Sequence, residues 1–186
     1  DVLCLQETKQ NNDNFPHDIF EKRGLFSYHN GQNTYNGVAI ISNKELIDVQ
    51  FDIPNFYDEQ KRLISGIYPN DEDPKFRVFS AYIPNGQSLN SDKFEYKMNW
   101  LKSFINSLQK KIDGVENIIT GDFNIAPTKL DCYDSKSWDG KILVSPQERE
   151  YFDKLLNQGF IDTFREMNPN ANEFSWWDYR IPFKRN

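Results

Sequence analysis

Twice in this sequence an acid follows directly on a short apolar strand pattern: Glu7 after Val2-Leu3-Cys4-Leu5-Gln6, and Asp122 after Ile118-Ile119-Thr120-Gly121. Such a strand delivers a carboxylate to the edge of a sheet, where functional groups are often placed. Asn124 follows Asp122 at a spacing of two, which on an extended chain turns both side chains the same way. Gly121 lets a ligand or a second backbone come close. A hard cation such as Mg²⁺ takes oxygen donors, often one or two carboxylates, with water and substrate phosphate completing its shell. Glu7 suits the ligand role. Asp122 suits the orienting or deprotonation of a water, and Asn124 can donate to a phosphate oxygen without adding charge. Taken singly, each acid serves more often as a loop or helix cap. Residue type and spacing therefore reach an oxygen-ligand metal site and no further.

The elements that must position these groups are mostly strands. Apolar runs at residues 2–5, 38–41 and 117–120 read as buried strands, and residues 63–68 and 76–83 as two more, joined by the turn-rich stretch at 69–74. A helix follows, capped by Ser91 or Asp92, with Phe94, Met98, Leu101, Ile105 and Leu108 on one apolar face. Ser145-Pro146-Gln147-Glu148 reads as a cap, a first-turn proline and an acidic first turn. That helix runs through Tyr151, Phe152, Leu155 and Leu156 and stops at Gly159. Strands interrupted by long helices give an α+β or layered α/β class. No internal repeat or low-complexity stretch is visible.

The 186 residues suffice for one domain with a substantial core. Hydrophobic residues make up 38% and aromatics 15%, too apolar for a disordered chain. No apolar run approaches the roughly 20 residues of a membrane span, and no signal-peptide pattern opens the chain. Cys4 and Cys132 are too few for a disulfide framework, so the expectation is two reduced thiols in a cytoplasmic protein with no membrane partner. The formal net charge of -6 weighs against nucleic-acid binding, since phosphate contacts supply much of such affinity. Net charge is only a sum, however, and a metal-dependent nuclease needs carboxylates beside a local basic rim.

In order along the chain, Leu5-Gln6-Glu7-Thr8-Lys9, Asn36-Gly37-Val38-Ala39-Ile40, Tyr82-Ile83-Pro84-Asn85-Gly86, Gly121-Asp122-Phe123-Asn124-Ile125-Ala126-Pro127, Gly159 to Arg165 and Phe174-Ser175-Trp176-Trp177-Asp178-Tyr179-Arg180 resemble the exonuclease III family of the endonuclease/exonuclease/phosphatase superfamily. The glutamate and aspartate segments recur across the superfamily. The tyrosine loop and the final aromatic block resemble its abasic-site branch. The resemblance implies an α+β fold of two packed β-sheets flanked by helices, a four-layer αββα sandwich of the deoxyribonuclease-I-like kind. It implies Mg²⁺, with Mn²⁺ as a substitute, held by Glu7. Asp122 would position or activate the attacking water, Asn124 would bind the scissile phosphate, and Tyr82 would approach it. Trp176 would line a pocket for a base-less sugar, with core packing nearly as strong a reading; for Trp177 core packing is preferred. Lys9 and Arg62 would contact backbone phosphates, and Asn85 would lie near the scissile one. The histidines His17 and His29 fall in no matching motif.

The implied activity is hydrolysis of DNA phosphodiester bonds 5′ of abasic sites, with 3′→5′ trimming of 3′ ends, by a monomer acting on double-stranded DNA. The family pattern also places an asparagine-bearing strand ahead of Asp1, and an aspartate and then an Asp-His pair beyond Asn186. The expectation is a single domain lacking its first and last strands, poorly active on its own. Two alternatives stand beside it: a relative that hydrolyses inositol phosphates or phospholipids, and a catalytically inactive fragment.

Overall fold

The computed structural model describes residues 1–69, 75–110 and 112–178, divided into two compact units. The first comprises Asp1–Pro84 and Asn106–Phe123 and holds every named strand. Strands β1 (Val2–Gln6), β2 (Phe26–Asn30) and β3 (Val38–Ser42) form an antiparallel sheet in the order β1-β3-β2. Strands β4 (Ile47–Phe51), β5 (Leu63–Tyr68), β6 (Lys75–Tyr82) and β7 (Val115–Asp122) form a second sheet in that order. Its pairs are antiparallel except β6–β7, which is parallel.

Central β3 is buried throughout, and alternation along it feeds two cores. Val38 and Ile40 pack with Leu46 and Ile64, joined by Val2, Cys4, Tyr28, Val49, Tyr68 and Tyr82 from both sheets. Ala39 and Ile41 face the other way onto Phe15, Phe20 and Leu25 around the short helix α1 (His17–Glu21). The sheets are also tied by polar bonds: Gln6 donates to Ser80 at 3.1 Å, and Ser80 donates to the Leu5 carbonyl at 3.2 Å. The expected pair of packed sheets is therefore present.

Two strands expected to be buried are not. Leu3 is 54% exposed and Ile118 42% exposed, because among the described residues β1 and β7 each pair on one side only. A cavity of about 520 Å³, lined by Val2, Cys4, Phe76, Val78 and Ile118 among others, opens between these edges. Strands β5 and β6 pair antiparallel; residues 70–74 of the turn-rich stretch expected to join them lie outside the described residues.

The second unit comprises Asn85–Ile105 and the chain from Asn124 onward. It carries most of α2 (Asp92–Ser107), then α3 (Ser135–Trp138), α4 (Pro146–Asn157) and α5 (Thr163–Met167). Ser91 caps α2, its hydroxyl accepting from the Phe94 amide at 3.2 Å. The buried face of α2 is Phe94, Lys97, Trp100, Leu101, Phe104 and Ile105. Expected Met98 is only half-buried, because the face is centred on the Lys97–Leu101–Phe104 row. Ser145 and Glu148 form a reciprocal capping box on α4, with Pro146 in its first turn. Both thiols are free, Cys4 half-buried and Cys132 buried. Among the described residues no helix is long and apolar enough to cross a membrane.

Candidate active site

In the first unit the ends of β1, β6 and β7 present the acids and the tyrosine singled out by sequence. Glu7 leaves β1 on a tight turn, with positive φ at Glu7 and again at Lys9. The Thr8 and Lys9 amides donate to the carbonyls of Gly37 and Asn36 at 3.2 and 2.9 Å, which pins the turn to the start of β3. A Cβ at Gly37 would stand 2.1 Å from the Thr8 hydroxyl oxygen, so this approach requires glycine. Lys9 pairs with Glu7 at 3.0 Å, and both side chains are about half exposed (56% and 45%). Lys9 thus offsets the charge of Glu7.

Parallel register sets Tyr82 opposite Asp122 at the ends of β6 and β7. Gly121, at φ +134, makes that pairing possible: a Cβ there would meet the Ala81 carbonyl oxygen at 1.9 Å. The Arg62 guanidinium lies 4.7 Å over the Tyr82 ring. Arg62 is only 9% exposed and forks onto the Gln60 side chain at 3.0 and 2.7 Å. Arg62, expected at backbone phosphates, lies against Tyr82. Burial pushes the Tyr82 phenol above its ordinary value; the Glu7 charge pushes it further, Arg62 opposes, and Asp122 adds to the rise. Glu7, Arg62 and Asp122 therefore all act on one phenol. That phenol is held in its protonated, hydrogen-bond-donating form.

Next to this turn, His29 is buried and stacked on Phe15 at 4.1 Å between ring centroids. Its Nε2 meets the Thr8 hydroxyl at 2.8 Å, while Nδ1 has no partner among the described residues. Burial, and then the neighbouring His17, lower its pKa to about 4. Sequence assigned His29 no role; its contact ties the imidazole to the residue beside Glu7.

In the second unit, Asn85 donates its side-chain amide to the Asn124 side-chain oxygen at 3.0 Å. Trp176 is half-buried against Ala126, Cys132 and Val144, with Trp138 at 4.4 Å in an edge-on contact. Its amide donates to the Asp131 carbonyl at 3.0 Å. Trp177, expected in the core, is 47% exposed; neighbours along an extended segment point to opposite sides, and Trp176 takes the inward one. Tyr179 and Arg180 of the same block lie outside the described residues.

No group of three or more His, Cys, Asp or Glu side chains that could hold a metal ion occurs among the described residues. The donor set fits a hard cation bound by few carboxylates: Glu7 is half exposed, and Asp122 lies close enough to act on the same phenol.

Residues 1–185 match the Endonuclease/Exonuclease/phosphatase family. The chain belongs to that family. It is 35% identical over 193 residues to exodeoxyribonuclease III of Haemophilus influenzae, covering 97% of this chain and 71% of that protein. A solved 3′ phosphatase from Neisseria bound to a product DNA hairpin superposes with a TM-score of 0.89 at 36% identity, covering 97% of this chain and 69% of that one. An AP endonuclease from Archaeoglobus fulgidus gives 0.87 at 32% identity, with the same coverage. At these identities the likeness extends to the fold, and the expected class of two sheets with flanking helices is that of the family.

Proposed function

We propose that this chain is a DNA-repair phosphodiesterase that hydrolyses DNA 5′ of abasic sites and trims 3′ ends in a divalent-metal-dependent reaction, Mg²⁺ being the natural ion. Membership in the family and the names of its relatives support a hydrolytic nuclease acting on DNA. The observation that carries the mechanism is the register that sets Tyr82 opposite Asp122 at the ends of β6 and β7, with the Arg62 guanidinium over the Tyr82 ring.

Glu7 would hold the cation, which would offset charge developing on the phosphate. Asp122 would orient the attacking water and take its proton. Tyr82, kept protonated by its surroundings, would donate a hydrogen bond to a phosphate oxygen. Arg62 would set the ring of Tyr82. Asn124 and Asn85 would supply neutral donors to phosphate, and Lys9, displaced from Glu7 by the cation, would be released toward the DNA backbone. Trp176 would give an apolar surface for a sugar that has lost its base.

The test is Mg²⁺-dependent nicking of an abasic-site duplex by this chain, beside release of phosphate from a soluble phosphoinositide. Cleavage of the duplex that is lost in Glu7→Gln supports the proposal. Hydrolysis of the phosphoinositide without cleavage of DNA would support the phospholipid reading instead. Mn²⁺ binding indifferent to Glu7→Gln would leave the inactive-fragment reading standing.

A further inference from the structure

Lys97 has no exposed side-chain surface, and Glu148, 51 residues further on, is equally buried against it. A lysine in such a place must spend all three of its protons on acceptors. It does so on three separate segments of the second unit. One goes to the Glu148 carboxylate, one to the Asn124 carbonyl at 2.7 Å, and one to the Asn85 carbonyl at 3.3 Å. The other Glu148 oxygen accepts from the Ser145 amide at 3.1 Å and the Ser145 hydroxyl at 2.6 Å, which anchors the carboxylate to the start of α4. A Cβ on Gly86 would come within 3.1 Å of the Lys97 stem, so the Asn85 turn is packed onto the same side chain.

Stability does not explain this arrangement, since a buried ion pair is often replaced by apolar residues at no loss. What the pair does that apolar residues cannot is hold two carbonyls at one point. Those carbonyls belong to the two residues whose side chains hydrogen-bond to each other, and one of them, Asn124, sits at positive φ. We propose that Lys97 is a positioning residue for Asn85 and Asn124, with Glu148 as its counterion. It fixes both backbones from beneath so that the paired amides present donors in one orientation. This inference rests on the reading of the two asparagines as phosphate contacts.

The experiment compares the full chain with Lys97→Met/Glu148→Leu, Glu148→Gln and Asn124→Ala. Readouts are the melting temperature, the side-chain amide NMR signals of Asn85 and Asn124, and the affinity for an abasic-site duplex with Ca²⁺ in place of Mg²⁺. The double variant is expected to fold with a lowered melting temperature, since it also loses the Glu148 cap of α4. Its two amide signals should move toward solvent-exposed positions, and its affinity should fall about tenfold, as in Asn124→Ala. Glu148→Gln keeps the ammonium and the cap, and should keep both amide signals despite a lower melting temperature. A folded double variant with unaltered signals and affinity overturns the role of Lys97, as does loss of both signals in folded Glu148→Gln. A double variant that does not fold makes the pair a structural element and overturns it too. If Asn124→Ala binds the duplex like the parent, the phosphate reading falls and this inference falls with it.

Discussion

Arg62 and Tyr82 clamp each other twice: the Tyr82 amide donates to the Arg62 carbonyl at 2.8 Å, and the Arg62 guanidinium donates to the Tyr82 carbonyl at 3.1 Å. The guanidinium also lies over the ring, 4.7 Å from its centroid. A lysine keeps the charge and loses the fork onto Gln60 and the flat contact. Arg62→Lys should therefore lower turnover on an abasic duplex by about 10- to 100-fold while the fold is retained, the range expected for a misplaced catalytic group. Steady-state kinetics beside circular dichroism would check this; unchanged turnover would remove Arg62 from the site.

The same cluster makes a spectroscopic prediction. Since the Glu7 charge raises the phenol and Arg62 opposes that rise, Glu7→Gln should bring the Tyr82 titration down and Arg62→Met should take it up. Ultraviolet titration, with Tyr82→Phe as the difference standard, reads both directions. Shifts in the opposite sense would mean that these groups do not face the ring.

His29 sets a pH dependence. Its pKa falls from the ordinary 6.5 to about 4 on folding, so the folded state binds the proton less well than the unfolded chain. The stability tied to neutral His29 is complete above pH 6.5 and is lost as pH falls toward 4, up to about 3 kcal/mol. Melting at pH 7 and pH 4.5 should show a larger acid loss in the parent than in His29→Gln. Equal losses would show that His29 takes no part.

Gly121 is required by geometry. An alanine would place its Cβ inside contact distance of the Ala81 carbonyl, at a φ of +134 that side chains rarely adopt. Gly121→Ala should cost about 2 kcal/mol or more and separate Tyr82 from Asp122. Denaturant melts would measure the loss, and a variant as stable as the parent would contradict the close β6–β7 approach.

What was legible in the sequence was what short stretches decide by themselves. The strand at 38–41 declared itself because both of its faces are buried, and the Ser145–Glu148 box because its parts lie three residues apart. Glu7 and Asp122 stood out because each follows an apolar strand, and Tyr82 only because its loop resembles that of the family. Leu3 and Ile118 misled because burial of an edge strand depends on a neighbour that the strand itself does not encode. Trp176 and Trp177 could be separated only by backbone direction. Arg62 was expected at backbone phosphates and Lys97 drew no expectation, since a buried charge takes its meaning from partners distant in sequence. Phe94, Lys97 and Leu101, spaced by three and four, did place the lysine on the apolar stripe of its helix, and that was the available signal.

The central claim is that Glu7 holds the catalytic cation beside Tyr82 and Asp122. Calorimetric titration of Mn²⁺ into the parent chain and into Glu7→Gln tests it most directly. Binding should weaken by about tenfold or more when the sole charged oxygen donor of the turn is neutralised, with the melting temperature little changed. Equal affinity in the two proteins would place the metal elsewhere and contradict the assignment of the site.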